Sequence, residues 1–184
     1  MGDLYNKLRV LIVDDDIDDQ IFIREAIKHQ YPNSELISFY NGKQVLDYML
    51  KKGVCEDFSH EDPHIVILDI NMPFFSGFDV LKELKQYSFT NTIFVMLSTS
   101  DLKQDIDKAF KLGADGFFTK PDTVAKYRIV IKEIISKRTK LSTIHVEGLV
   151  LNLEKELKKP GTNLIRKTYL SEKIMLLTEY LCNK

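Results

Sequence analysis

Five residues with reactive side chains each follow a short apolar run of the chain. Asp14 and Asp15 come directly after the first run, Asp69 after a later one, and Ser98 and Lys120 after two more. Carboxylates, a hydroxyl and an ammonium group are what a site needs to hold a divalent cation and to stabilise phosphoryl oxygens. These residue types therefore point to cation binding and phosphoryl transfer, provided that the fold brings them together.

The three aspartates make a cation necessary. Carboxylates that are buried side by side repel one another unless a positive charge compensates them. Side-chain oxygens of Asp15 and Asp69, with a backbone carbonyl from the loop after Asp69, are the hard ligands that Mg²⁺ prefers. Asp14 would contribute mainly through its charge and through a bridging water. We therefore expect a Mg²⁺ site and no organic cofactor.

Lys120 and Ser98 complete the predicted chemistry. A lysine ammonium can bind a carboxylate or a phosphoryl oxygen, and a serine hydroxyl can donate a hydrogen bond to that oxygen. A carboxylate nucleophile beside a metal and a fixed lysine meets the requirements of in-line phosphoryl transfer, which depends on positioning and charge stabilisation. The predicted product is an aspartyl phosphate on Asp69.

The elements that must position these residues follow from the apolar pattern. Short β-branched runs are typical of buried parallel strands, and each is followed by apolar residues at helical spacing. Parallel strands need crossover helices, and ligands in such sheets bind at the carboxyl ends of the strands. We therefore predict an α/β fold with a doubly wound, five-stranded parallel sheet. The expected strands lie near residues 10–13, 35–40, 64–68, 92–97 and 116–118, and the fifth helix follows the fifth strand to about Lys137.

Several helix ends are predicted as well. Asp16 or a neighbouring aspartate should cap the first helix, with Asp16 and Asp18 capping or solvated rather than catalytic. Asp101 should cap the fourth helix, and Gly113 should supply its left-handed end. Pro121 suits the first turn of the fifth helix. The apolar face of that helix is expected at Ile129, Ile131, Ile134 and Ile135.

Four of these motifs together resemble the signature of a known family. The segments VLIVDD (residues 10–15), DINMP (69–73) with Gly77, Leu97-Ser98 and Lys120-Pro121 resemble the receiver-domain signature of response regulators in two-component signalling. The resemblance covers about residues 5–138. This part of the chain is similar to single-domain chemotaxis-type regulators. The resemblance implies a flavodoxin-like (βα)5 three-layer sandwich, a fold for which a chemotaxis member of this family is a standard example.

The resemblance also implies roles for individual residues. Phosphoryl groups would come from a sensor histidine kinase or a histidine phosphotransfer protein. Phosphorylation would shift the population of the face formed by the fourth helix, fifth strand and fifth helix, and so control a downstream protein partner. Such a protein is not a turnover enzyme. The implied roles are Asp69 as phosphoacceptor, Asp14 and Asp15 as acidic pair, Asn71 as backbone-carbonyl metal ligand, Ser98 as switch hydroxyl, Lys120 as phosphate partner and Phe117 as switch aromatic.

Two departures from the family pattern leave this chemistry intact. Ser98 stands where threonine is common and keeps the hydroxyl, while Phe117 lacks the hydroxyl of the tyrosine found in some members. Phe74 and Phe75, in the loop after Asp69, either contact a partner or cover the edge of the sheet.

Composition excludes several other classes of protein. A formal net charge of −1 over 184 residues argues against a surface built entirely for nucleic acid or an anionic membrane. The start of the chain lacks a signal-peptide pattern and no apolar run approaches a bilayer span, so we expect a soluble, cytoplasmic protein with no membrane partner. No glycine-rich phosphate loop follows any strand. Neither a disulfide framework nor a His/Cys metal site is suggested by Cys55 and Cys182 or by His29, His60, His64 and His145.

The last 46 residues, 139–184, are expected to form an extension of unknown role. Residues 141–146 suggest a strand, Pro160-Gly161 a break, and residues 174–177 a helix. The segment carries eight Lys or Arg against five Asp or Glu, so a DNA-binding transcriptional regulator is one alternative. No recognition helix follows, which makes DNA binding less favoured than packing on the receiver or self-association as a homodimer. A phosphorylation-independent interaction module is the other alternative.

Overall fold

The computed structural model describes residues 8–52, 62–159 and 164–182. Cys55, His60 and the break predicted at Pro160-Gly161 lie outside these residues, and the side chains of His145 and Cys182 lie outside the description as well. Within the described residues, no helix combines the length and the apolar character that crossing a bilayer requires.

Five parallel strands alternate with helices, and the strand order in the sheet is β2-β1-β3-β4-β5. This confirms the predicted doubly wound, flavodoxin-like α/β fold. The elements in chain order are β1 Arg9–Val13, α1 Ile17–Gln30, β2 Glu35–Phe39, α2 Gly42–Met49, β3 Ile65–Leu68, α3 Gly77–Leu84, β4 Ile93–Ser98, α4 Lys103–Lys111, β5 Gly116–Thr119, α5 Val124–Leu157 and α6 Leu164–Cys182.

Both faces of the sheet are buried, which is why the central strands are apolar at nearly every position. One core cluster, with Val45 and Leu81, packs α2, α3 and α4 against the sheet. The other, with Ile23 and Ile131, packs α1 and α5 against the opposite face. The result is the predicted three-layer sandwich of helices, sheet and helices.

The sheet brings the strand ends together. β1 lies between β2 and β3, so the strand order reverses there, and crevices at such a reversal are where open α/β sheets bind ligands. The Asp69 N–H donates to the Val13 carbonyl at 2.9 Å, so Asp69 and Asp14 follow neighbouring strands at the same level. The Lys120 N–H donates to the Ser98 carbonyl at 2.8 Å and joins the ends of β4 and β5 in the same way.

Helix ends follow the sequence in part. Asp16 caps α1 by accepting hydrogen bonds from the N–H groups of Asp18 and Asp19, as predicted, and Gly113 adopts a left-handed φ of 94° after α4. The predicted Asp101 cap is wrong, because α4 begins after Leu102 and has no side-chain cap.

Pro121 is likewise not in the first turn of α5, which begins at Val124. Thr123 accepts hydrogen bonds there from the N–H groups of Lys126, through its hydroxyl, and Tyr127, through its carbonyl. These bonds fix the start of the helix three residues beyond the proline.

The buried face of α5 differs from the prediction at one position. Ile131, Ile134 and Ile135 are buried, but Ile129 is 69% exposed. The buried residue in the first turn is Tyr127, which lies one helical turn before Ile131 and therefore on the same face. Ile129 is two positions from either residue and points away from the core.

The chain divides into two compact units, residues 1–138 and 139–184. The expected strand at 141–146 is wrong, because α5 continues without interruption through these residues to Leu157. Short runs containing β-branched residues are ambiguous between strand and helix, and here the helical context prevails. In the second unit α5 is followed by α6, and Arg166 lies 3.4 Å from Glu156.

Gly77 is required by close packing at the start of α3. A Cβ atom at this position would overlap the carbonyl oxygen of Asp69 and crowd the side chain of Met96. The Gly77 N–H also donates to the carbonyl of Ile70 at 3.1 Å, which ties α3 to the loop after Asp69. Gly77 therefore sets how closely α3 approaches the end of β3.

We predict that Gly77→Ala destabilises the protein by about 1–3 kcal/mol, because the backbone of Asp69 must shift to admit the methyl group. Thermal unfolding should show a lower midpoint. Gly148→Ala is the matched control, since a Cβ there meets no atom of the described residues within 4 Å outside the backbone of its own helix. In a helix interior it should stabilise by about 0.5–1 kcal/mol. Equal midpoints for the two variants would contradict the packing argument.

Candidate functional site

One lysine lies among three carboxylates at the carboxyl edge of the sheet. The Lys120 Nζ is 2.8 Å from Asp14 Oδ2, 2.8 Å from Asp19 Oδ2 and 3.4 Å from Asp69 Oδ1. The side chains of Lys120, Asp14 and Asp69 are almost fully buried. Buried charges of this kind need close, hydrogen-bonded partners of opposite sign, and the lysine provides one for each carboxylate.

Backbone groups hold the other carboxylate oxygens. Asp14 Oδ1 accepts a hydrogen bond from the Asp16 N–H at 3.0 Å, and Asp69 Oδ2 accepts one from the Asn71 N–H at 3.1 Å. Gln20 donates to the carbonyl of Asp14 at 2.7 Å and to that of Phe39 at 3.0 Å, which joins the ends of β1 and β2. The carboxylates are therefore oriented by the chain itself.

Burial dominates the electrostatics of the site. It raises the pKa of Asp14 to about 6, although the hydrogen bond and charge of Lys120 act in the opposite direction. Burial also raises the pKa of Asp69, again against the effect of Lys120. Burial alone would lower the pKa of Lys120, but its hydrogen bonds to Asp14 and Asp19 outweigh that effect and raise it. Lys120 is therefore charged at neutral pH. Its single positive charge does not balance the negative charges of the aspartates around it.

The donor set fits a divalent cation. Asp14, Asp15 and Asp69 each offer one carboxylate oxygen, and these oxygens lie within 4.8 Å of one another. Two oxygens on opposite sides of one Mg²⁺ are about 4 Å apart, since each Mg–O bond is about 2.0–2.1 Å. The three carboxylates can therefore bind one Mg²⁺ ion if their side chains move slightly or if a water bridges one of them to the ion. Asp15 is exposed, which leaves one side of the group open to solvent.

Ser98 and Phe117 lie on the same face of the sheet. Met96 pairs with Phe117 across β4 and β5, and Ser98 is two residues beyond Met96, so alternation puts both side chains on the α2–α3–α4 side. Ser98 is fully buried and its Oγ accepts a long hydrogen bond, 3.4 Å, from the Ser100 N–H. Phe117 is half-buried against the core cluster of that face.

Two residues of this region were missed by the sequence reasoning. Asp19, in the first turn of α1, binds Lys120, and the Tyr127 hydroxyl donates to Asp19 Oδ1 at 2.6 Å. A signal existed for Tyr127, because it continues the spacing of Ile131 and Ile134 on the buried face of α5. None existed for Asp19, which lies among several aspartates at a helix start.

The loop after Asp69 carries an aromatic residue in an unusual state. Phe74 has a φ of 67° and is 98% exposed, while Phe75 is less exposed. Phe74 therefore does not cover the edge of the sheet, which removes one of the two interpretations for that residue. Contact with a partner stays a prediction for both.

Comparison with known proteins identifies the family. A model described as the response regulator receiver domain matches residues 10–132. The chain belongs to the response regulator receiver family, and the resemblance seen in its motifs is confirmed. Members of this family are signalling domains of two-component systems.

Three relatives illustrate the match. The transcriptional regulatory protein CiaR of Streptococcus pneumoniae is 25% identical over 79% of this chain, which spans only 60% of CiaR. The crystal structure of a phosphorylated cyanobacterial phytochrome response regulator, RcpA, is 25% identical with a TM-score of 0.63, covering 70% of this chain and 91% of that one. A Mn²⁺-bound form of the response regulator Rcp1 has the same identity and coverage with a TM-score of 0.61.

The raised pKa of Asp14 predicts a pH-dependent stability in the absence of divalent ions. Between about pH 4 and pH 6 folded Asp14 holds a proton that the unfolded chain, with a pKa near 3.8, has released. The contribution of Asp14 to folding stability therefore decreases as the pH rises through this window. We expect Asp14→Asn to be more stable than the wild type at pH 8, by up to about 3 kcal/mol.

The measurement is urea unfolding in EDTA at pH 4.5 and pH 8, with Asp107→Asn, an exposed carboxylate of α4, as the control. The gain from Asp14→Asn should shrink at the lower pH, while the control should differ little from the wild type. A gain of equal size at both pH values would contradict the argument from burial.

Proposed function

We propose that this protein is a phosphoacceptor response regulator, in which Mg²⁺-dependent phosphorylation of Asp69 controls a downstream protein partner. The observation that carries the proposal is that Asp69 Oδ1 lies 3.4 Å from the Lys120 Nζ while Asp69 also offers a carboxylate oxygen within 4.8 Å of oxygens of Asp14 and Asp15. The family supports a signalling role, and the phosphorylated and Mn²⁺-bound states of its relatives support the chemistry. The donor would be a sensor histidine kinase or a histidine phosphotransfer protein.

The chemistry assigned to Asp69 is nucleophilic substitution at phosphorus. A carboxylate oxygen of Asp69 attacks the phosphorus of the donor, the bond from phosphorus to the leaving group breaks, and the leaving group takes the electron pair. Asn71 holds the other oxygen of Asp69 through its N–H at 3.1 Å, which leaves Oδ1, on the side of Lys120, as the attacking atom.

Lys120 and Ser98 act on the transferred group. The Lys120 ammonium would neutralise phosphoryl oxygens, since it already lies 3.4 Å from Asp69 Oδ1. The buried Ser98 hydroxyl would donate to one of these oxygens. Mg²⁺, held by Asp15, Asp69, the Asn71 carbonyl and, through water, Asp14, would neutralise charge on the same group when bound.

The output is assigned to the α4–β5–α5 face. Ser98 and Phe117 occupy adjacent strands on one side of the sheet, so a change at the hydroxyl has a short path to the aromatic ring. Phosphorylation would shift the population of two arrangements of this face rather than create a new fold. DNA binding and self-association by residues 139–184 stay predictions from the sequence.

The first experiment is the intact mass of the protein after incubation with Mg²⁺ and acetyl phosphate. The wild type should gain one phosphoryl group, and Asp69→Asn should gain none because the amide is not a nucleophile. Asp47→Asn, on α2, is the matched control and should react as the wild type does. An unmodified wild type that remains folded would point to the phosphorylation-independent module instead.

Mg²⁺ should also stabilise the folded chain, because the site that binds it forms only on folding. At ten times the dissociation constant, binding adds about 1.4 kcal/mol, a rise of roughly 3–6 °C in the thermal midpoint. Asp15→Asn should lose more than half of this rise, since it removes one ligand. Asp18→Asn, exposed on α1 and without a place in the site, should keep it. Equal shifts for both variants would exclude Asp15 as a ligand.

A further inference from the structure

The contact between Asp19 and Lys120 lies outside the phosphoryl-transfer chemistry proposed for Asp69. Asp19 Oδ2 lies 2.8 Å from the Lys120 Nζ, as close as Asp14 and closer than Asp69 at 3.4 Å. In the unmodified chain, the ammonium is therefore held more tightly by Asp14 and Asp19 than by the residue on which it would act. Any use of Lys120 by a phosphoryl group must compete with these two carboxylates.

Charge and exposure show which contact would be weakened. A lysine ammonium has three N–H donors, and three carboxylates lie within 3.4 Å of the Lys120 Nζ. When Asp69 Oδ1 becomes the oxygen bonded to phosphorus, the donor that faced it is free for the phosphoryl oxygens, whose charge of about −1.5 to −2 draws Lys120 toward them and away from Asp14 or Asp19. The Asp19 side chain is 22% exposed and that of Asp14 only 2%. Water can replace Lys120 at Asp19, whereas the buried Asp14 would lose its ammonium partner with little access to solvent.

Asp19 connects this event to α5. Its other oxygen, Oδ1, accepts a hydrogen bond of 2.6 Å from the hydroxyl of Tyr127, which is fully buried in the first turn of α5. The Tyr127 ring packs against Phe22 of α1, with ring centroids 5.8 Å apart. A change in the charge or position of Asp19 therefore acts on the hydroxyl of Tyr127, a residue of α5 that packs against α1.

We propose that Asp19 is a positioning residue that holds Lys120 in the unmodified state and transmits its release to Tyr127 when Asp69 is phosphorylated. The inference rests on the proposed phosphorylation of Asp69. It adds a second path by which that phosphorylation changes the structure. This path runs from Lys120 through Asp19 to the α1–α5 side of the sheet, opposite to the side of Ser98 and Phe117. Asp19 therefore slows the phosphorylation of Asp69, and it transmits the resulting change to Tyr127.

The first test compares Asp19→Asn with Asp18→Asn. Both remove one carboxylate from the first turn of α1, but only Asp19 contacts Lys120. The initial rate of modification is followed by intact mass at a limiting concentration of acetyl phosphate with Mg²⁺. We expect Asp19→Asn to react about three- to tenfold faster than the wild type, because its amide holds Lys120 less tightly. Asp18→Asn should stay within about twofold, and Asp19→Glu, which restores the charge, should return toward the wild-type rate.

The second test follows Tyr127 directly by NMR of protein with ¹³C-labelled tyrosine rings. The Tyr127 signal is identified by its absence in Tyr127→Phe, and Mg²⁺ with beryllofluoride serves as a stable substitute for the phosphoryl group. In the wild type and in Asp18→Asn the signal should shift on addition of the reagent. In Asp19→Asn it should start displaced from the wild-type position and shift less.

The outcomes separate the two proposals. A wild type that gains no phosphoryl group overturns the proposed function, and with it this inference. If the wild type is modified but Asp19→Asn reacts no faster than Asp18→Asn, only the role of Asp19 is overturned. A Tyr127 signal that stays in place while Asp69 is modified would overturn the path to α5.

Discussion

A single buried ammonium group shared by three carboxylates is the interaction on which this site depends. Lys120 cannot satisfy Asp14, Asp19 and Asp69 equally, and the distances show a preference for the first two. With Asp15 close by, negative charge exceeds positive charge in a region of low dielectric. Such a site disfavours full ionisation of its carboxylates, and its donor set fits a divalent cation. The same excess of negative charge that weakens the fold underlies the proposed sensitivity of the site to Mg²⁺ and to a phosphoryl group.

The sheet makes this concentration of charge tolerable. Hydrogen bonds of the parallel ladder fix the level at which each strand ends, and Asp69 is anchored to Val13 and Lys120 to Ser98 by backbone bonds. Because both faces are covered by helices, the strand ends cannot separate to relieve the repulsion. The cost is distributed over a large core, which a domain of this size can supply. The rigid sheet therefore keeps the carboxylates close together at the strand ends in spite of their repulsion.

Much of this arrangement could be predicted from the sequence, and the exceptions have physical reasons. The fold and the neighbourhood of Asp14, Asp69 and Lys120 follow from polar residues at the ends of apolar runs, because strand direction decides where those ends lie. The contact of Asp19 could not be predicted, since it depends on the rotation of α1, which packing sets. Residues 141–146 were assigned to a strand because a six-residue window with β-branched residues cannot be distinguished from part of a long helix.

Phe74 shows how the loop after Asp69 departs from what folding alone would select. An L-residue in the left-handed region loses about 1–2 kcal/mol relative to a right-handed conformation, and a bare phenyl ring in water forgoes the gain of burial. Glycine or asparagine would fit this backbone better and aspartate or serine would fit the solvent better. Among the described residues Lys51 is the other non-glycine residue with a positive φ, and Phe74 combines that backbone with a large apolar side chain in water. A residue that the fold stabilises this poorly is typical of a position selected for function and not for folding stability.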